Sequence, residues 1–276
     1  MSKKLTVALV QMSAGMDANA NISDIGLRVA EAREAGARYV LTPEMSVVFA
    51  DNREGLRARA AGWDDNSQIA QLSEIARANG LYLHIGSLAI ALEDGRFANR
   101  SVLFDPRGEI VEHYDKIHLF DADLPGINAY RESATYAGGD RAVVADLDGV
   151  RLGFSICYDM RFGALYRTLA QAGAQIIAVP AAFTVPTGTA HWHVLLRARA
   201  IETGCFILAA AQGGAHANGR ATYGHSLVVA PWGEVIAEAA GDAPGLVVAD
   251  LDLDAIESAR QRVPALTNGR EFAAPQ

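Results

Sequence analysis

Cysteine is scarce in this chain of 276 residues: Cys157 and Cys205 are the only two, far apart and without CxxC spacing. That excludes a disulfide scaffold and leaves no cysteine-based zinc motif. Basic residues are in deficit, 24 Lys and Arg against 32 Asp and Glu, giving a net charge of −8. The positive footprint of a nucleic-acid binder is therefore missing. So is any apolar run approaching the roughly 18 residues of a membrane span. Lys3-Lys4 followed by Leu5 to Val10 imitates a short secretory leader, but Thr6 and Gln11 interrupt it and no cleavage pattern follows. A first core strand explains that segment better, and the expectation is a cytoplasmic protein.

What is present suits a packed core. Half the residues are hydrophobic, ample for one domain over 1–276, and no linker divides the chain. Apolar patterning predicts helices over 20–35, 66–79, 161–172, 189–203 and 253–262, with Ile69, Leu72, Ile75 and Ala76 forming one amphipathic stripe. Strands are predicted over 4–11, 38–42, 81–89, 100–105, 109–114, 142–147, 151–157, 175–180, 205–211, 224–230, 234–238 and 245–251. Several, such as 176–179 and 206–210, are apolar on both faces, as in sheets covered on both sides. An internal duplication shows as well. EAGARYVLTP (34–43) resembles QAGAQIIAVP (171–180), and SVLFDPRGEIV (101–111) resembles SLVVAPWGEVI (226–236), each of the latter pair reading as a β-hairpin. Two pairs in the same order predict two similar α/β halves.

Cys157 lies in RLGFSICYDMRF (151–162), where an apolar strand ends and a helix follows with Leu165 and Leu169 on one face. Free backbone N–H groups and a helix dipole at such a junction favour thiolate. In isolation a buried core cysteine explains the same pattern. Glu44 closes YVLTPEMS, a carboxylate at the carboxyl end of a strand, where reacting groups gather in open α/β sheets. Taken alone it reads equally as a loop Glu, but the second half has Ala181 at the matching repeat position. Lys116 in EHYDKIHLFD follows the first hairpin among Tyr114, Ile117, Leu119 and Phe120, and Glu132 follows in the loop YRESATYAGGD. For both the plain alternative is a solvated charge.

The set LTPE, YDKIHLFD, YRES, SICYDMRF and TGTAHWHVLLRARAIE (187–202) resembles the nitrilase superfamily of carbon–nitrogen hydrolases, over about residues 4 to 264. The resemblance implies a four-layer α-β-β-α sandwich of two similar halves, matching the duplication. It also implies a homodimer or higher homo-oligomer, and catalysis by Glu44, Lys116 and Cys157. Amide hydrolysis needs a nucleophile, a proton acceptor that later donates, and positive charge for the oxyanion. Cys157 is the expected nucleophile and Glu44 the expected base. Lys116 and the backbone N–H of Tyr158 are the expected oxyanion donors, and Glu132 the expected orienting group.

No metal and no organic cofactor is required by that chemistry, and the expected partner is a small amide, with no nucleic acid and no membrane. CYDMRF and KIHLFD resemble the small-amide branch of the family, the omega-amidases and deaminated glutathione amidases. The segment 197–236, with Gln212 and His216, resembles the latter more. The function implied is hydrolysis of a small linear carboxamide to carboxylate and ammonia through a Cys thioester. The alternatives are an omega-amidase acting on 2-oxoglutaramate or 2-oxosuccinamate, an acyl transferase, and a silent binding protein. Gln212, His216 and Arg220 are expected at the pocket rim, reading an anionic tail. His191 and His193 would not share a helix face, and Arg197, Arg199 and Cys205 read as structural.

Overall fold

The computed structural model describes residues 4–50, 52–64, 66–123, 130–273 and 275. Two sheets form its centre. The first runs Gly245–Asp252, Lys4–Gln11, Tyr39–Leu41, Tyr82–Ala91, Phe97–Phe104, Ile110–Asp115, with Tyr136–Ala137 beside Phe97–Phe104. The second runs Val144–Leu147, Val150–Phe154, Ile176–Ala178, Phe206–Ala209, Leu227–Val229, Val235–Glu238. Read in those orders, both pair antiparallel, parallel, parallel, antiparallel, antiparallel. The duplication visible in the sequence is thus a duplication of topology, and both expected hairpins form. The halves are tied together, because the edge strand Gly245–Asp252 of the first sheet comes from the far end of the chain.

Alternation along Lys4–Gln11 sets the layers. Val7 and Leu9 join Tyr39, Leu41, Phe154 and Ile176 in one core between the sheets, and that core continues outward to Leu165, Leu169, Trp192 and Leu196. Ala8 and Val10 face the other way, with Ile22, Ile25, Val29, Ile69 and Leu72 of helices Ala18–Glu34 and Ser67–Asn79. Helices Gly163–Gln171 and Val185–Thr203 cover the second sheet. The four-layer α-β-β-α sandwich stands. Because both faces of each central strand are buried, their sequences run apolar without a period of two.

Three expected elements are drawn differently. Strand 151–157 stops at Phe154, and helix 161–172 divides into a 3-10 turn Cys157–Arg161 and the α-helix Gly163–Gln171. Phe162, at φ −107° and ψ 84°, breaks the helical run between them. Helix 189–203 begins earlier, at Val185, where Pro186 sits in the first turn with no N–H to leave unpaired. Among the described residues, no helix is long and apolar enough to cross a membrane.

Candidate active site

Glu44 leaves the end of Tyr39–Leu41 on a tightly held loop. The Thr42 hydroxyl accepts from Gly86 N–H at 3.0 Å, and Met45 N–H donates to Ser87 Oγ at 2.9 Å. Met45 itself is at φ +55°. Gly86 lies directly beneath: a Cβ there would meet Thr42 O at 2.1 Å and Pro43 O at 2.5 Å. Lys116 follows Ile110–Asp115, its N–H bonded to Asn99 O and its carbonyl accepting from Gly139 N–H. Cys157 N–H donates to Pro180 O at 2.9 Å, so the Cys157 turn hangs from the neighbouring strand end. Its φ of +48° is a left-handed conformation for a side-chain-bearing residue, which costs on the order of 1–3 kcal/mol and marks a site held by its surroundings.

These three loops converge. Lys116 Nζ is 2.8 Å from Glu44 Oε1 and 2.9 Å from Glu132 Oε2, with the ammonium almost wholly buried. The Cys157 thiol lies near enough to the Glu44 carboxylate to feel its charge, and the second Glu44 oxygen accepts from Ala182 N–H at 3.0 Å. Glu132 also accepts from Phe120 N–H. All four side chains line one cavity of about 660 Å³. Tyr158 follows in the turn with its ring packed edge-on against Phe120 and Phe162. Its backbone N–H, in the open first turn of the 3-10 segment, is its group suited to the site.

The charges are unequal in the resting site. Burial pushes the Glu44 carboxyl up, but the Lys116 charge and hydrogen bonds from Lys116 and Asn99 outweigh it and hold its pKa below the usual value. Burial works against the Lys116 charge too, yet Glu132 and Glu44 hold its pKa well above the ordinary lysine value. The Cys157 thiol goes the other way. Burial and the Glu44 charge push it well up, and the Lys116 ammonium and Ala182 N–H do not compensate. The pull towards thiolate expected at a strand–helix junction is opposed here: the α-helix starts only at Gly163, and burial next to a carboxylate pushes the thiol pKa up.

The rim expectation is also corrected. Gln212 is fully buried, donating to Glu44 O and accepting from Ala14 N–H. His216 is buried, with Ala14 O and Thr222 Oγ1 on its two ring nitrogens. Both brace the loop behind Glu44. Arg220 does line the cavity, its guanidinium 4.7 Å over the Phe49 ring, as do Arg53 and Arg131.

The carbon-nitrogen hydrolase family matches residues 6–261. A deaminated glutathione amidase of Yersinia enterocolitica is 39% identical over 97% of this chain and 94% of that protein. Nit3 of Saccharomyces cerevisiae, a member of branch 10 of the nitrilase superfamily, superposes with a TM-score of 0.88 at 30% identity, over 99% of this chain and 98% of that one. The amidase of Nesterenkonia sp. AN1, seen with acrylamide added at its active-site cysteine, superposes at 0.79 and 29% identity, over 94% of this chain and 98% of that one. The chain belongs to the carbon-nitrogen hydrolase family. It is a hydrolase acting on amides.

Sequence reasoning missed how this hydrolase holds the turn that carries Cys157. Asp159 is fully buried and accepts from Ile156 N–H, the Tyr114 hydroxyl, His118 N–H and His118 Nδ1 at 2.6–3.0 Å. Arg199 supports the same turn by donating to Met160 O. Asn99 was missed as well, although a buried polar residue inside the strand FANRSVLF is itself a signal. Metal-type donors gather elsewhere: among the described residues, only His193, His225 and Glu238 form such a group, a surface ion-pair cluster outside the cavity. His191 is not part of it.

Proposed function

We propose that this hydrolase cleaves the amide of deaminated glutathione through a thioester on Cys157. The observation that carries the reading is the burial of Glu44, Lys116 and Cys157 around one cavity, with the Lys116 ammonium 2.8 Å from the Glu44 carboxylate and a thiol that needs a base beside it. Glu44 takes the thiol proton as sulfur attacks the carbonyl carbon. Lys116 and the Tyr158 N–H hold the oxyanion, each such donor being worth about 3–4 kcal/mol. Glu132 keeps Lys116 oriented. As the C–N bond breaks, Glu44 returns the proton to the departing amine. Water, deprotonated by the same carboxylate, then opens the thioester and releases the acid.

The substrate assignment draws on the Yersinia relative and on the cavity. Deaminated glutathione is a flexible amide with a carboxylate at each end, and three arginines line a chamber within the usual range for small ligands, about 300–1,000 Å³. Its departing group is the amine of a cysteinylglycine dipeptide, where a primary amide such as 2-oxoglutaramate gives ammonia. The test is kcat/KM for the two compounds, following dipeptide and ammonia release without an added amine acceptor. At least a tenfold preference for deaminated glutathione, about 1.4 kcal/mol, is expected. The reverse preference would make this an omega-amidase, and turnover only with an amine acceptor would make it a transferase.

A homodimer and a cytoplasmic location complete the proposal. Val194, Ile201, Trp232 and Ile236 leave an exposed apolar strip on helix Val185–Thr203 and the neighbouring hairpin, a surface of the kind that marks association. Light scattering after gel filtration should give twice the chain mass.

A further inference from the structure

Lys116 has three N–H donors, and all are engaged: Glu44 Oε1 at 2.8 Å, Glu132 Oε2 at 2.9 Å and Glu132 Oε1 at 3.1 Å. An oxyanion donor needs a free N–H, so one of these bonds has to be released during turnover. The longest is to Glu132 Oε1. That same oxygen accepts from Asn99 Nδ2 at 3.2 Å, and Asn99 Nδ2 also donates to Glu44 Oε1 at 3.0 Å. Asn99 is fully buried in strand Phe97–Phe104, and its backbone carbonyl accepts the Lys116 N–H, which locks the two residues in register.

The amide orientation follows from its neighbours. Turning it over would put Oδ1 against two carboxylate oxygens, so nitrogen must face them. The consequence is that, among the described residues, buried Asn99 Oδ1 has no hydrogen-bond partner. Buried polar atoms in native structures are rarely left so. A side chain kept for packing alone would not need this arrangement.

We infer that Asn99 is a positioning residue for the amidase reaction: it keeps both carboxylates paired while Lys116 turns one N–H from Glu132 to the oxyanion. Without Asn99, that turn would leave Glu132 Oε1 with no side-chain donor among the described residues. The amide also lets two carboxylates stay ionised around a single ammonium. Among the described residues, the other charged or titratable groups lining this cavity are Cys157 on the nucleophile turn, Tyr136 on the short strand Tyr136–Ala137, and Arg53, Arg131 and Arg220.

The inference rests on Glu44, Lys116 and Cys157 being the catalytic set. Its test is steady-state kinetics against pH for two near-isosteric variants. In Asn99→Leu the loss should fall on kcat, about tenfold to a hundredfold, with KM nearly unchanged. The acid limb of kcat/KM should move to higher pH, because a carboxylate without the amide takes up a proton more readily. In Asn99→Asp the introduced carboxyl group donates only while protonated, so residual activity should rise as pH falls, the opposite displacement. Thermal melts establish that each protein is folded, and should Asn99→Leu fail to fold, Asn99→Asp carries the test. A folded variant with a wild-type or merely scaled pH profile, a loss carried by KM, or an Asn99→Asp protein silent at every pH would overturn the inference. Trapping acyl-enzyme in the wild type separates the two levels. If acylated Cys157 accumulates while the variants behave so, the role of Asn99 alone is wrong; if it never forms, the catalytic set is wrong first.

Discussion

Lys116 Nζ sits 2.8 Å from Glu44 Oε1 across 72 residues of sequence, and both groups are almost fully buried. Such a pair contributes little net stability over an apolar equivalent, but removing one partner strands the other charge. Lys116→Met should therefore cost about 3–5 kcal/mol in urea unfolding and abolish turnover. Adding Glu44→Gln to Lys116→Met should recover part of that stability with no activity. Additive losses would show that the two charges are not coupled.

Gly86 does not line the cavity, yet its lack of a side chain fixes the loop that carries Glu44. A Cβ there would be 2.1 Å from Thr42 O and 2.5 Å from Pro180 Cβ, contacts that only backbone movement relieves. Gly86→Ala is expected to destabilise by roughly 1–3 kcal/mol or more and to lower kcat, since small displacements of a base are costly. Wild-type kcat in a folded Gly86→Ala protein would mean that the loop has slack.

His84 gives a pH dependence separate from catalysis. It is buried between the sheets, accepting from the Tyr39 hydroxyl on Nδ1 and bonded to Ser101 Oγ through Nε2, and burial brings its pKa down to about 3. The unfolded chain binds the proton near pH 6.5 while the folded one does not. Stability from this residue is complete above about pH 6.5 and drains as pH falls toward 3, by about 3 kcal/mol at pH 4.5. Comparing pH 7 with pH 4.5, the loss on acidification should be smaller in His84→Gln than in the wild type. An equal loss would assign the acid sensitivity to the carboxylates alone.

Much of this was legible beforehand, and the reasons are specific. The repeated EAGARYVLTP and QAGAQIIAVP gave two matching parallel cores because a helix end, a turn and a strand repeat as a unit. Glu44, Lys116 and Cys157 were visible because each follows an apolar strand with a residue type that a plain core would not place there. Gln212 and His216 misled because a polar residue beside a glycine-rich loop looks exposed; only the tertiary structure shows Ala14 and Glu44 taking up their hydrogen bonds. The balance of influences on the Cys157 thiol was only partly legible for a similar reason. A helix dipole can be inferred from sequence, but the desolvation set by three converging loops cannot.

Arg220 is the rim residue that survives. Arg220→Ala should raise KM for deaminated glutathione about tenfold or more, a charge-assisted contact being worth about 1.5–3 kcal/mol. For a short neutral amide KM should barely change. Equal effects on both would assign Arg220 to shaping the Phe49 wall.

The central claim is that Cys157 carries the acyl group. Rapid acid quench of the wild-type protein with deaminated glutathione, followed by peptide mass mapping, tests it directly. The account predicts a 2-oxoglutaryl thioester on the peptide containing Cys157, and no turnover by a folded Cys157→Ala protein. An acyl group found on any other residue, or dipeptide release by Cys157→Ala at near the wild-type rate, would contradict it.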